Sequence, residues 1–237
     1  MPSMAIYADS GMGKTMLMER FRRAHPATYN REERRLISPV LALQMASHAT
    51  ERRFYGHMLQ AIGVPFVPRA TVLELEVQTL RNLKRLEVKL LMLDEVHNLL
   101  AGSAKEQRVL LNMLRFISNE LKISLVCLGI ADAREAISGD VQLSRRFEEL
   151  TLPRWQGDEE FEQLVVTILR HLPLKLASQI SARALGQVLQ ATDGVTARIF
   201  AMFNDLAVSA IRAGTECIDD TSVEGWRPIG KPTPAYA

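Results

Sequence analysis

Apolar and polar positions along the chain fall into two textures. Up to about residue 152, short apolar runs alternate with longer stretches of helical spacing. Residues 4–7, 39–44, 90–93 and 123–128 are short and almost continuously apolar, as strands buried on both faces must be. Between them, apolar residues recur every three or four positions. Residues 14–24 form a helical stretch behind a glycine-containing turn, and 105–121 form another. Residues 50–62 and 71–86 come in tandem, the second with Leu73, Val77, Leu80 and Leu83 on one face. Residues 143–152 carry two arginines and run into a short strand that Pro153 ends. This alternation predicts an α/β fold, a parallel sheet covered by helices. From Trp155 the texture changes: 158–172, 181–191 and 196–213 have helical spacing with no strand pattern between them. The expected organisation is an α/β domain over 1–153, a small all-helical domain over 154–226, and a tail over 227–237. Three prolines, one glycine and no periodicity predict a tail that is disordered or laid on the surface.

Composition narrows the class. A chain of 237 residues, 47% hydrophobic, can bury a core in one or two domains. No apolar run approaches the roughly 20 residues of a membrane-spanning helix. The start, Met1-Pro2-Ser3-Met4, lacks the charged and apolar regions of an export signal. Two cysteines lie far apart, and Cys127, inside an apolar run, reads as a core thiol rather than a metal ligand. A reducing bacterial cytoplasm is the expected compartment, with no membrane partner. The net charge of +2 neither announces nor excludes a polyanion partner, because a local basic patch suffices.

The chemistry begins at residues 8–15, Ala-Asp-Ser-Gly-Met-Gly-Lys-Thr. The phosphate-loop pattern is G-x-x-x-x-G-K-[ST], and Ala8 stands where its first glycine usually is. Gly11 and Gly13 let the loop through Asp9, Ser10 and Met12 turn its N–H groups into a concavity sized for a phosphate. The following helix adds its positive end. Lys14 is expected on the β- and γ-phosphates of ATP, and Thr15 on Mg²⁺ through its hydroxyl. The acidic partner is Leu90-Leu91-Met92-Leu93-Asp94-Glu95. Its four apolar residues predict a buried strand whose acids emerge at the C-terminal edge, where open parallel sheets bind ligands. Asp94 is expected to bind Mg²⁺, and Glu95 to orient the attacking water. His97 and Asn98 follow at once, read either as a polar loop or as a relay of nucleotide state.

Taken together, Ala8–Thr15, Leu93-Asp94-Glu95-Val96-His97-Asn98-Leu99-Leu100, Gln142-Leu143-Ser144-Arg145-Arg146-Phe147, Leu152-Pro153-Arg154-Trp155 and Leu172-Pro173-Leu174 resemble the TniB family. These are ATP-dependent transposition proteins of the AAA+ type, related to TnsC. The likeness runs from Met4 to about Ile218, and its most specific parts are the His-Asn-Leu-Leu and Leu-Pro-x-Trp stretches. It implies a P-loop NTPase sheet followed by a helical lid. It also implies head-to-tail homo-oligomers, rings or filaments, on double-stranded DNA, marking a target for a DDE transposase of the TniA or TnsB kind with a TniQ-like adaptor.

The resemblance also assigns roles residue by residue. AAA+ proteins place an arginine near residues 143–147 that reaches the γ-phosphate of the neighbouring subunit, which points to Arg146 first and Arg145 second. Arg198, one turn into its helix, is expected to touch the nucleotide in cis. A helix beyond the crossover minimum, between the second and third strands, resembles the initiator branch, where it faces DNA. Arg52, Arg53 and Arg69 are then candidate phosphate contacts, with a backbone N–H from Thr71. Two features depart from the family. The strand over 123–128 continues Gly129-Ile130-Ala131-Asp132 without the usual Asn or Thr on the γ-phosphate, so slow or partner-dependent hydrolysis is expected. Only three residues precede Met4, where members carry a segment that cradles adenine, so either the start is short or base contacts come from elsewhere. The competing readings are an ATPase of secretion or signalling that binds protein only, and a degenerate nucleotide-binding scaffold.

Overall fold

Five strands form one all-parallel sheet: β1 (Ser3–Tyr7), β4 (Val40–Gln44), β5 (Leu90–Asp94), β6 (Ser124–Gly129) and β7 (Phe147–Thr151). Their order is β4-β5-β6-β1-β7, so β6 separates the strand of the glycine loop from the strand of the acids. The computed structural model describes residues 1–47, 50–67, 69–138 and 144–227, and the chain divides into two compact units, Met1–Leu152 and Pro153–Ala237.

Alternation along the strands feeds two cores. On one face, Leu91, Leu93, Leu125 and Cys127 pack with helices α2 (Glu51–Ala61), α3 (Val72–Arg85), α4 (Ala104–Leu121) and α5 (Ala133–Ser138). On the other, Ile6, Met92 and Leu128 pack with Met18 of helix α1 (Lys14–Ala24). The central strands are buried on both sides, which is why they read as unbroken apolar runs. Cys127 is fully enclosed, and burial pushes its thiol up to about 12. The edge strand β7 carries Glu148 and Glu149 on an exposed surface, a charge pattern that discourages further strand pairing.

Helix starts show how local chemistry sets the elements. Thr50, Thr71, Ser103, Asp158 and Ser181 each cap a helix by accepting a backbone N–H through a side-chain oxygen. Helix α1 is different: its N-cap is Gly13, in the left-handed region, with no side-chain cap. The second unit holds α6 (Glu159–His171), α7 (Ala182–Thr192), α8 (Thr196–Ala213) and α9 (Asp220–Gly225), closed around Phe161, Val188, Ile199, Phe203 and Ile218.

The strand and helix positions read from spacing lie within one or two residues of those observed. Among the described residues, four short elements left no periodic signal. These are α5, α9, a 3-10 helix over Val96–Ala101, and an exposed antiparallel hairpin of β2 (Thr28–Asn30) with β3 (Arg35–Ile37). Asn30 Oδ1 builds that hairpin's turn by accepting the N–H groups of Glu32 and Glu33 at 3.0 and 3.1 Å. Residues 228–237 of the expected tail, and Gln142 and Leu143 of the quoted motif, lie outside the described residues.

Candidate nucleotide site

The loop leaves β1 with Ala8 N–H bonded to the Gly129 carbonyl at 3.1 Å. It turns through Gly11 at φ 81° and Gly13 at φ 91°. A Cβ on Gly13 would meet nothing within 4 Å, so backbone conformation, not space, requires glycine there. Asp9 and Ser10 are exposed, while Met12 is buried and its N–H points to the Asp9 carbonyl. Lys14 folds back over the loop, its Nζ donating to the carbonyls of Ala8 (2.8 Å) and Asp9 (3.0 Å). Its exposure is only 6%. Burial lowers its pKa, against the opposing pull of Glu95, Asp94 and Asp9.

Across the sheet, Asp94 is 2% exposed at the end of β5. Thr15 Oγ1 donates to Asp94 Oδ2 at 2.5 Å, a contact between residues 79 positions apart. Met18 makes it possible by seating α1 on Ile6, Leu128 and Met92, one residue from each of three adjacent strands. Asp94 Oδ1 accepts the Glu95 N–H at 2.8 Å. Glu95 then takes φ 56°, left-handed backbone that costs a non-glycine residue on the order of 1–3 kcal/mol and is found preferentially at functional sites. Its carboxylate lies 3.1 Å from His97 Nε2. Asn98 Nδ2 donates to the Met45 carbonyl at 2.9 Å, and Met45 N–H to the Asp94 carbonyl at 2.9 Å.

Between loop and acids, β6 ends in Gly129. A Cβ there would stand 2.5 Å from the Ala133 Cβ, so close packing of α5 demands glycine at that strand end. Asp132 sits in the exposed turn that opens α5, with its carbonyl accepting the N–H groups of Glu135 and Ala136. Tyr7, at the end of β1, is a residue the sequence did not signal. Its hydroxyl is buried with no hydrogen-bond partner among the described residues, under the Arg134 guanidinium, and burial pushes it up to about 12.

The arginines are placed differently. Arg146 directly precedes β7, and its carbonyl accepts the Ser3 N–H at 3.0 Å, so it lies at the N-terminal edge of the sheet, opposite its own phosphate loop. Its Nη1 donates to Asn119 Oδ1 at 2.6 Å. Arg145 beside it is exposed. In the second unit, Arg198 forms an exposed ion pair with Asp193. Its helix start is clasped by Trp155, whose N–H donates to the Gly194 carbonyl at 3.0 Å and whose Nε1 donates to Thr196 Oγ1 at 2.9 Å. Gly194 has φ 63°, and a Cβ there would lie 2.4 Å from the Trp155 carbonyl oxygen. The Leu-Pro-x-Trp stretch and the start of the helix that carries Arg198, far apart in sequence, are therefore interlocked.

Arg52 and Arg53 lie in the first turn of α2, and Arg69 and Thr71 immediately before α3. Arg52 donates to the Ala70 carbonyl, and Arg69 is exposed. The Arg53 N–H is bonded to Thr50 Oγ1 at 3.3 Å. The N–H of Thr71, the group a phosphate contact would need, is donated to Glu74 Oε2 at 2.6 Å as part of a capping box.

A parallel sheet in this strand order, with the glycine loop before α1 and acids ending β5, is the AAA+ P-loop fold. It recurs in the ORC2 protein of Aeropyrum pernix, solved as ADPNP–ADP complexes, with TM-score 0.66, 18% identity, and coverage of 94% of this chain and 60% of that one. The ORC1 protein of the same organism, solved in complex with DNA, gives TM-score 0.66 and 20% identity over 94% of this chain and 58% of its own. A point mutant of Thermotoga maritima RuvB gives 0.57 and 12% over 94% and 60%. The chain thus spans about three fifths of the length of these structures. The family model of the bacterial TniB protein matches residues 1–157, and the chain belongs to that family. No curated protein sequence matches it.

Proposed function

We propose that this TniB-family protein is a Mg²⁺-dependent ATPase that assembles on duplex DNA and regulates transposition. The observation that carries the ATPase reading is the convergence of Lys14, Thr15 and Asp94 at one edge of the sheet. Lys14 exchanges its two loop carbonyls for β- and γ-phosphate oxygens, and N–H groups of the uncapped α1 start meet the same anion. The Thr15 hydroxyl and Asp94 carboxylate are the hard oxygen donors that Mg²⁺ prefers. No group of three or more acids, cysteines or imidazoles that could hold a metal ion by itself exists among the described residues, so such an ion would draw its remaining ligands from phosphate and water. The ion, when bound, neutralises phosphate charge. Glu95 orients the attacking water.

Arg146, at the far edge from its own loop, serves as a finger toward a neighbouring copy, with Arg145 as the second candidate. Arg198, in the helical domain over 154–226, is the candidate for reading nucleotide state, which would require it to leave Asp193. Head-to-tail contacts of this kind are heterologous and build a ring or a filament. Membership of the TniB family, and the α2–α3 pair bearing Arg52, Arg53 and Arg69, support duplex DNA, a DDE transposase and a TniQ-like adaptor as partners. No single helix among the described residues is long and apolar enough to cross a membrane, and the bacterial cytoplasm is the compartment proposed.

Two measurements test this reading. Phosphate release with Mg²⁺ and ATP should be detectable and should rise when duplex DNA is added. A gel shift with an ATP analogue at low salt should show binding to random and defined duplexes alike, weakening steeply with salt. A preparation that binds the analogue but shifts no DNA at micromolar protein rejects the DNA reading and favours an ATPase acting on protein alone.

A further inference from the structure

His97 follows Glu95 by two residues, on the short 3-10 helix that continues β5. Its Nε2 lies 3.1 Å from Glu95 Oε2, with side-chain exposures of 23% and 33%. Its other nitrogen, Nδ1, is buried and has no hydrogen-bond partner among the described residues. Nε2 is thus the ring nitrogen that faces a partner, and its N–H donates to the Glu95 carboxylate.

The turn that carries His97 is pinned at several points. Asn98 N–H bonds the Glu95 carbonyl at 2.9 Å, and Asn98 Nδ2 bonds the Met45 carbonyl at the end of β4. Val96 and Leu99 are buried in the core at 1% and 2% exposure. A fixed donor thus faces a partly exposed glutamate whose side chain has no other hydrogen bond among the described residues. Because a glutamate has three rotatable bonds, one fixed contact removes much of its freedom. Placement of such a group is a large part of what phosphoryl transfer asks of a protein.

We infer that His97 is a positioning residue that holds the Glu95 carboxylate where it directs the attacking water. This rests on the reading of Glu95 as the water-orienting group. His97 does not touch the nucleotide in this account and acts only through Glu95.

The test measures steady-state turnover and ATP-analogue affinity of the full chain, with thermal melting as a check on folding. His97→Ala should lower kcat by about tenfold to a hundredfold, the scale on which small misplacements of a reacting group act. Its analogue affinity should stay within about twofold of the parent, since phosphate binding belongs to Lys14 and Thr15. His97→Gln, whose amide N–H reaches the place of Nε2, should recover most of the loss. With enzyme in excess, His97→Ala should add nothing in a Glu95→Gln background, because the acceptor it positions is already changed. Parent-like or faster kcat in His97→Ala overturns the inference, as does a full additive loss in the Glu95→Gln background or a glutamine variant as slow as the alanine. A parent that binds the analogue yet never turns over, with or without DNA, removes the ATPase reading and this inference together.

Discussion

Two polar regions of the α/β unit differ in how their charges are held. At the C-terminal edge of the sheet, Lys14 and Asp94 are 6% and 2% exposed and bonded to the loop carbonyls and to Thr15. Around the α2–α3 pair, Arg53 in the first turn of α2 and Arg69 before α3 have exposed side chains, and the pair is tied together where Tyr55 donates to Glu76 at 2.9 Å and Gln78 to the Pro65 carbonyl at 2.9 Å. Burying a charge is expensive unless every partner is in place, whereas an exposed arginine costs almost nothing. The first region is therefore organised for a ligand of fixed shape. The second, on the proposed reading, would meet a partner whose shape need not be matched closely, such as a phosphate backbone.

The comparison is broken most severely at the buried edge. Lys14→Ala should reduce nucleotide binding by about a hundredfold or more, since Lys14 is the cation that the loop itself brings to a bound phosphate. Glu95→Gln should keep analogue affinity within a few fold and lose turnover on a similar scale, because shape is retained while charge is not. Fluorescent-analogue titration beside phosphate release separates the two. Normal turnover by Glu95→Gln would remove that residue from the water-orienting role.

A smaller and different effect is expected at the exposed region. Arg53→Ala combined with Arg69→Ala should leave ATPase without DNA unchanged. The dependence of log affinity for DNA on log salt should flatten by about two, roughly one for each phosphate no longer neutralised. An unaltered salt slope would show that DNA lies elsewhere.

The mildest change sharpens the boundary between the two regions. Thr71→Ala removes a capping box, so the melting temperature should fall by ~3 °C. Because the hydroxyl it removes is already committed to Glu74, DNA affinity should not change. A clear loss of DNA affinity at unchanged stability would mean that the Thr71 hydroxyl itself reaches phosphate in the complex.

Much of the architecture was legible because it is local. Apolar runs and three-to-four spacing placed β1, α1, β5, α3 and α8, since each buries enough residues in one register to leave a period. The hairpin over Thr28–Ile37, the 3-10 helix after Glu95 and the six-residue α5 and α9 escaped, being too short for any period to repeat. The loop over residues 8–15 was legible for another reason: its glycines answer a backbone need that only φ near 81° and 91° meets, and chemistry fixes the spacing to Lys14 and Thr15.

What only the tertiary structure decided is which distant groups meet. Strand order placed β6 between loop and acids, and Met18 across three strands then brought Thr15 to Asp94. The pairing of His97 with Glu95, the clasp of Trp155 on Gly194 and Thr196, and the position of Arg146 at the edge opposite its own phosphate loop are likewise invisible in periodicity. Periodicity records how each segment faces the core. A contact between two segments depends on strand order and side-chain direction, which the packing of the whole unit sets.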